Sequence, residues 1–534
     1  MRENNKRVRQ LFLFGLVFIL TLVTWQSAQM AETPPKKDQV LLVYDSKNEE
    51  VHGAQKLASV QRMLSSLGLA SQPVRASDYR QGQLNDRQYG GTILLVNWPQ
   101  AQLVKQSYLN DLQDFSGVQL QIGGQLAASQ LRQMNVQQKR IYQQQLTLKA
   151  GQATQQLPFA SSVNVLTDLP TNARQFGTLI PQSNQQEPLA FGVSVGRRAY
   201  LPWFEGSGIM SVQTATMLGE LFNRKTTTQP LLTITGINPY SNLRVLDDLT
   251  KKLQKQGAPF ALSVSTVSNG TREAAFYKYT AILRRAQQRG GIIFMHVPYA
   301  RQLTVKTQEE LVNAIQDSVV SLGQAGVYPV GYSSPQFWQQ NHFLRTTGTA
   351  SADTLLLLPN PQRQKLQAVM QDRSLSQKTG QVNQAFYASS QSDLQTVKHQ
   401  EALQFTSPTA LTVKMPATQK QSKQLLRDVD RLDFQWFDPA QAQLQTQIKV
   451  GSVSFSYQGG RYFVNGRQVK VSGKLPQRLV ARKADRTSSK LDRFFELGST
   501  FLIVVFIIVL LLLIILLLMG RQVYYEMFKH HDDA

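Results

Sequence analysis

The chain has 534 residues, 57 Lys and Arg against 34 Asp and Glu, a formal charge of +23, and no cysteine. The missing cysteine excludes a disulfide framework, a thiol nucleophile and any thiolate metal site. Such a basic excess first suggests nucleic acid, but apolar stretches near both ends place the body of the chain outside a membrane, where no nucleic-acid partner is expected.

Residues 1–10 form a basic tail with Arg2, Lys6, Arg7 and Arg9, followed by an apolar run over 11–28. This pattern predicts an anchor with its positive end in the cytoplasm. Ala28 and Ala31 offer no small-x-small cleavage pair, which favours an uncleaved span. Near the other end, 497–520 carries 24 residues without a charge, enough at about 1.5 Å each to cross a core of about 30 Å. The expectation is a two-pass protein of the cell membrane, with cytoplasmic tails (1–10 and 521–534) and extracellular main domains.

The first exterior domain, 39–225, reads as α/β of flavodoxin or amidotransferase type. A continuous apolar run, QVLLVYDS at 39–46, precedes a helical pattern over 54–67 with Leu57, Val60, Leu64 and Leu67 on one face. Further strands are expected at 90–99 and 118–124, with a helix over 100–115 between them. From 142 to 202 short alternating runs predict antiparallel strands, an insertion or β cover, and a helix follows over 208–222. Residues 223–230, NRKTTTQP, form a polar linker.

The second domain, 230–432, repeats strand and helix: strands at 231–237, 259–266, 290–296, 327–333 and 354–359, and helices over 242–256, 272–289 and 307–322. Weaker strands are expected near 384–387 and 410–414. The alternation predicts an incomplete or distorted (β/α) barrel, with its chemistry at the strand C-terminal ends. Residues 433–480 alternate with period two around Gln-Gly-Gly and Asn-Gly turns, a small β-meander. A basic juxtamembrane linker, 481–496, follows. From Arg461 to Arg493 ten basic residues face only Asp485 and Asp492. Arg482, Lys483, Arg486 and Lys490 are candidates for contact with anionic lipid or a wall polymer, and a solvated linker explains them equally well.

The strand-end candidates are Thr235, Asn238, Tyr240, Thr266, Asn269, His296, Tyr299, Arg301, Ser333, Ser334, Gln336 and Trp338. His296 closes an apolar strand ahead of Val-Pro-Tyr, and its ordinary role would be a satisfied histidine under a loop. Trp98, Trp203, Trp338 and Trp436 could stack on sugar rings, although packing is the commoner role of each. Asp45 and the pair Gly123 and Gly124 stand where an α/β sheet holds ligands, without a phosphate-loop or dinucleotide fingerprint. No Gly-x-Ser-x-Gly or His-Glu-x-x-His motif occurs.

Three phrases, ITGINPYSNLRVLDDLTKKLQKQGAPFALSVSTV, AILRRAQQRGGIIFMHVPYA and AGVYPVGYSSPQFW, carry a resemblance. They resemble an uncharacterised branch of membrane-anchored polysaccharide-deacetylase-like proteins of low-GC monoderm bacteria, related to carbohydrate esterase family 4. The resemblance covers roughly 231–338 and implies a deacetylase-type barrel acting on N-acetylated surface glycans. It also implies a zinc-like divalent metal held by an Asp-Asp pair after the first strand and two histidines four residues apart. The chain departs at both places. Thr235, Gly236, Ile237 and Asn238 supply no carboxylate, and Ala300 stands four residues after His296. His296 alone matches a metal or catalytic position, and one imidazole is a poor site. Asp247, Asp248, Glu309 and Glu310 read as structural helix residues.

From the strand-end candidates, the expected substrate-binding set is Asn238, Tyr240, Tyr299, Arg301, Gln336 and Trp338. The leading expectation is a deacetylase-like protein that binds or positions a cell-surface polysaccharide, such as an exopolysaccharide, with catalysis reduced or lost. An active metal-dependent N-deacetylase and a scaffold of a polysaccharide synthesis or export complex remain as alternatives.

Overall fold

The computed structural model describes residues 38–45, 53–85, 88–96, 105–182, 187–224, 226–266, 274–299, 304–361 and 384–472. All of them lie in one compact unit, and a second, Val480–Ala534, falls outside the described residues.

The first part of the chain builds a separate two-stranded ribbon and nine strands of a ten-stranded mixed sheet, whose tenth, at one edge, is the short strand Val397–Lys398 of the second part. The strands of the first part are β1 (Gln39–Tyr44), β2 (Ala70–Arg75), β3 (Gly91–Leu95), β4 (Val118–Ile122), β5 (Gln137–Gln144), β6 (Leu146–Ala150), β7 (Ala153–Gln156), β8 (Ala160–Thr167), β9 (Arg174–Pro181), β10 (Leu189–Val195) and β11 (Arg198–Leu201). The order β11-β4-β3-β1-β2 is parallel throughout, because the connections that return the chain carry helices α1 (Gly53–Ser66) and α2 (Gln106–Asp114). Antiparallel strands β10, β9, β6 and β7 continue the same sheet beyond β11 instead of forming a separate insertion, and only β5 and β8 stand apart. Helices α3 (Ala128–Met134) and α4 (Gly208–Leu221) complete this part.

The second part closes a barrel of seven parallel strands. They are β12 (Leu231–Ile237), β13 (Ala261–Val264), β14 (Ile292–His296), β15 (Gly331–Pro335), β16 (Thr354–Leu358), β17 (Gln384–Ser390) and, after the short edge strand β18 (Val397–Lys398), β19 (Thr409–Lys414). β19 pairs with both β17 and β12, which shuts the ring that the sequence suggested was incomplete. Helices α5 (Leu243–Lys255), α6 (Ala274–Gln288), α7 (Val305–Gln324), the short α8 (Phe337–Gln340) and α9 (Gln419–Leu432) run between or after these strands. Their apolar stripes pack on the barrel: Val245, Leu246, Leu249 and Leu253 are the buried positions of α5, the 3.6-residue period of an amphipathic helix. Phe294 meets Phe386 across the interior and Phe386 meets Phe437, so aromatic rings fill the end where the strands begin. The outer faces of β17 and β19 receive α4 of the first part, with α1 against β17, so the mixed sheet and the barrel share one hydrophobic core.

Strands β20 (Gln445–Val450), β21 (Val453–Gln458), β22 (Arg461–Val464) and β23 (Arg467–Val469) form an antiparallel meander. It docks below the barrel: Thr446 Oγ1 donates to the Val330 carbonyl at 2.8 Å, and Phe455 lies so close to Gly323 that a Cβ there would come within 2.3 Å of its ring.

The two-pass membrane arrangement requires correction. Among the described residues no helix is long and apolar enough to cross a membrane. The longest of them, α7, has 20 residues but carries Lys306, Glu309, Glu310 and Asp317, and its apolar face is spent on the barrel. The stretches 11–28 and 497–520, the tails 1–10 and 521–534, and the basic segment 481–496 with Arg482, Lys483, Arg486 and Lys490 lie outside the described residues. No helix among the described residues supports the two-pass arrangement or the extracellular placement built on it.

Candidate functional site at the barrel mouth

The strand C-terminal ends form the mouth, and His296 is the last residue of β14. Register pairs it with Ser333 of β15, and its Nδ1 lies 3.3 Å from Ser333 Oγ. Ser333 Oγ in turn lies 2.7 Å from Ser263 Oγ of β13. Strand alternation explains the meeting: Ser263, His296 and Ser333 all point inward, and inward residues of β13 and β15 touch past β14. Burial pushes the His296 imidazole down to about 4, with a hydrogen bond to the Ser333 backbone opposing the shift, so the ring is neutral near pH 7. Ser333 is sealed from solvent, so this serine-histidine contact cannot present a nucleophile to a substrate.

Three carboxylates that could have joined His296 are occupied elsewhere. Asp247 accepts from Arg285 at 3.0 Å and from Arg289 at 2.8 Å. Burial raises its carboxyl and the two guanidinium groups outweigh that effect, leaving it below the usual range. Asp248 accepts from Gln419 at 2.7 Å, and Glu310 faces Lys306 one turn away. Among the described residues no three of His, Cys, Asp and Glu gather where a metal ion could sit. The described residues therefore show no ligand set of the kind that an active esterase uses.

The rim around this mouth has a different character. Among the described residues six large hydrophobic side chains are exposed, and four of them stand here. Tyr240 (73 % exposed) follows β12, Tyr277 (49 %) lies in the first turn of α6 after β13, and Tyr299 (41 %) and Val305 (76 %) follow β14. Three consecutive β/α units thus each present a tyrosine to solvent. Asn238 shapes the first: its Oδ1 accepts from the Tyr240 amide at 2.9 Å, while its own amide donates to Ser241 Oγ at 3.0 Å. Tyr277 packs edge-on to Phe276 and Tyr299 edge-on to Phe337, with ring centroids 6.4 and 6.1 Å apart, which holds the rings upright. Tyr279, one position beyond the exposed face of α6, is buried and donates to the Ser265 carbonyl at 3.1 Å, tying the helix to the strand end.

Other expected positions are placed differently. Gln336 and Trp338 are fully buried, and the Trp338 ring packs on Phe337 with Gly348 against it. Neither can face a sugar from that position. Trp203 packs edge-on to Phe191 and Trp436 to Phe434. Arg301, Asn269 and Trp98 lie outside the described residues. Gly123 and Gly124 adopt φ of 79° and 67°, and a Cβ on Gly123 would come within 2.3 Å of the Val96 carbonyl, so their role is a tight turn. Tyr277 was missed in the sequence although its signal was present: Phe276, Tyr279, Thr280 and Leu283 mark the buried stripe of α6, which leaves 277 facing out.

No family model matches the chain, and no curated protein matches it. Among solved structures, a ThuA-like protein from Bacteroides uniformis aligns at 13% identity over 37% of this chain and 94% of that chain, with a TM-score of 0.26. That score is too low to carry an argument about fold or function.

Proposed function

We propose that this chain is a polysaccharide-deacetylase-like protein that binds a cell-surface polysaccharide at the barrel mouth, with hydrolysis reduced or lost. The observation that carries the reading is the rim of Tyr240, Tyr277 and Tyr299 at the strand ends around the neutral His296. Exposed apolar clusters of this kind mark binding surfaces, and the C–H faces of sugar rings stack on aromatic rings held upright by edge contacts. The chain of buried Ser263 and Ser333 with half-buried His296 keeps the floor polar without supplying a charged acid or base.

Titration calorimetry with partly N-acetylated glucosaminoglycan oligomers tests this reading. Tyr240→Ala and Tyr299→Ala are each expected to weaken binding by about threefold to tenfold, the loss of one aromatic contact, while urea midpoints stay near wild type because both rings are exposed. Acetate release on addition of zinc or cobalt, abolished by His296→Ala, would replace the reading with an active N-deacetylase. No binding by the folded protein to these oligomers would remove the glycan assignment for this polymer class.

A further inference from the structure

Arg62, in the third turn of α1, is 3 % exposed and pairs with no carboxylate among the described residues. Its Nη1 donates to the Leu357 carbonyl at 3.2 Å and to the Ala388 carbonyl at 2.8 Å, and its Nη2 donates to Ser59 Oγ at 3.0 Å. The guanidinium lies 4.6 Å over the Tyr387 ring, whose hydroxyl donates to the Gly206 carbonyl at 2.8 Å. All of these barrel contacts fall at one place, the mouth end of the β16 and β17 pair.

The parallel ladder explains why a donor is needed there. β16 and β17 are in register from Thr354 with Gln384 to Leu357 with Tyr387, and pairing then stops. The Tyr387 amide donates to Pro408 on the β19 side, so Ala388 turns its carbonyl toward β16. In a continued ladder the next donor would be residue 359, which is a proline and has no N–H. A buried carbonyl left unpaired costs about 1–3 kcal/mol. Arg62 reaches in from another part of the chain and supplies the missing donor.

We infer that Arg62 is the pin of the barrel seam: through it the α/β sheet holds the β16 and β17 side of the mouth closed, so displacement of α1 opens that side. The geometry suits such a device, because α1 begins at the C-terminal edge of β1, where sheets of this kind meet ligands, and its buried middle ends on the seam. The inference does not rest on glycan binding.

Hydrogen exchange on the full chain, read by mass spectrometry, tests it with Arg62→Met and Arg62→Lys. Arg62→Met keeps most of the stem volume and removes both carbonyl bonds. Amides in Thr354–Leu358 and Gln384–Ser390 are expected to exchange at least about tenfold faster, while those of Ile292–His296 across the barrel stay within about twofold of wild type. Arg62→Lys, which keeps the charge and loses the two-carbonyl fork, is expected to show the same localisation with a smaller factor, and it decides the matter alone if Arg62→Met does not fold. Wild-type protection at the seam, or a uniform rise across the barrel, overturns the inference.

Discussion

Replacing Gly331 by alanine is expected to lower the stability of the described unit by about 3 kcal/mol, the upper end of what overpacking a closed core costs. Gly331 opens β15, and a Cβ there would lie 2.3 Å from the Thr354 carbonyl oxygen and 3.1 Å from the Phe294 ring. Neither neighbour can retreat. Thr354 is the first residue of β16, and Asp353 just before it is held on two sides, its amide by the Gln447 carbonyl at 2.9 Å and its carbonyl by the Gln384 amide at 3.2 Å. Phe294 is wedged against Phe386 in the barrel interior. A shift of either would pull two strands of a closed ring out of register. Gly257 provides the contrast: its φ of 66° makes alanine strained, but nothing lies within 4 Å of a Cβ. Gly257→Ala is therefore expected to cost only about 1–2 kcal/mol, the left-handed backbone penalty alone. Urea unfolding of both variants at pH 7 measures the difference, and equal losses would show that the strand approach at Gly331 is not what sets its cost.

The same strand shows what could be read from local pattern and what could not. The run VYPVGYS predicts a strand over 327–333, whereas β15 begins at Gly331 and ends at Pro335. The apolar residues ahead of it are taken by a second partner. Tyr328 packs against Phe455 and Tyr462 of the meander, and the Val330 carbonyl accepts from Thr446. Periodicity reports that a residue is buried, not which surface buries it. The same limit hid the join of the antiparallel strands to the parallel sheet, since β11 lies beside β4 only through contacts about 80 residues apart in sequence.

At the site, the chemistry of single residues was easier to foresee than their company. That His296 ends a strand follows from its apolar run, but its hydrogen-bond chain needs the registers of three strands at once. Helix α1 presents Leu57, Val60 and Leu64, with Leu67 just beyond its end, as its apolar face, which makes Gln61 and Arg62 look solvated. Both are buried, because the helix is sandwiched between its own sheet and the barrel. An amphipathic pattern describes a helix with one packed side and fails where the opposite side meets a polar seam. Trp338 fails as a sugar platform for a related reason: a large ring favours the inside of a packed turn as much as an exposed rim.

Acidification should weaken the folded unit through His296, and the sign follows from where its pKa moves. In the unfolded chain the imidazole titrates near 6.5, and in the folded barrel burial lowers it to about 4. Between these values the unfolded state binds a proton that the folded state refuses, so the free energy of unfolding falls as pH falls. The contribution is fully present above pH 6.5 and is lost progressively toward pH 4, amounting to about 2–3 kcal/mol at pH 4.5. Burial raises the carboxyls of Asp353 and Asp393, which act with the opposite sign at lower pH, so wild type alone does not isolate the histidine. His296→Gln does: it keeps a hydrogen-bonding side chain beside Ser333 and removes the titration, leaving the carboxyl contributions common to both proteins. Urea midpoints at pH 7.5, 5.5 and 4.5 should show the variant losing less stability than wild type, with most of the gap opening below pH 6. Parallel curves would mean that the imidazole takes up a proton in the folded state as freely as in water. In that case the floor of the mouth would be open and solvated, and the Ser333 contact would not hold a neutral ring.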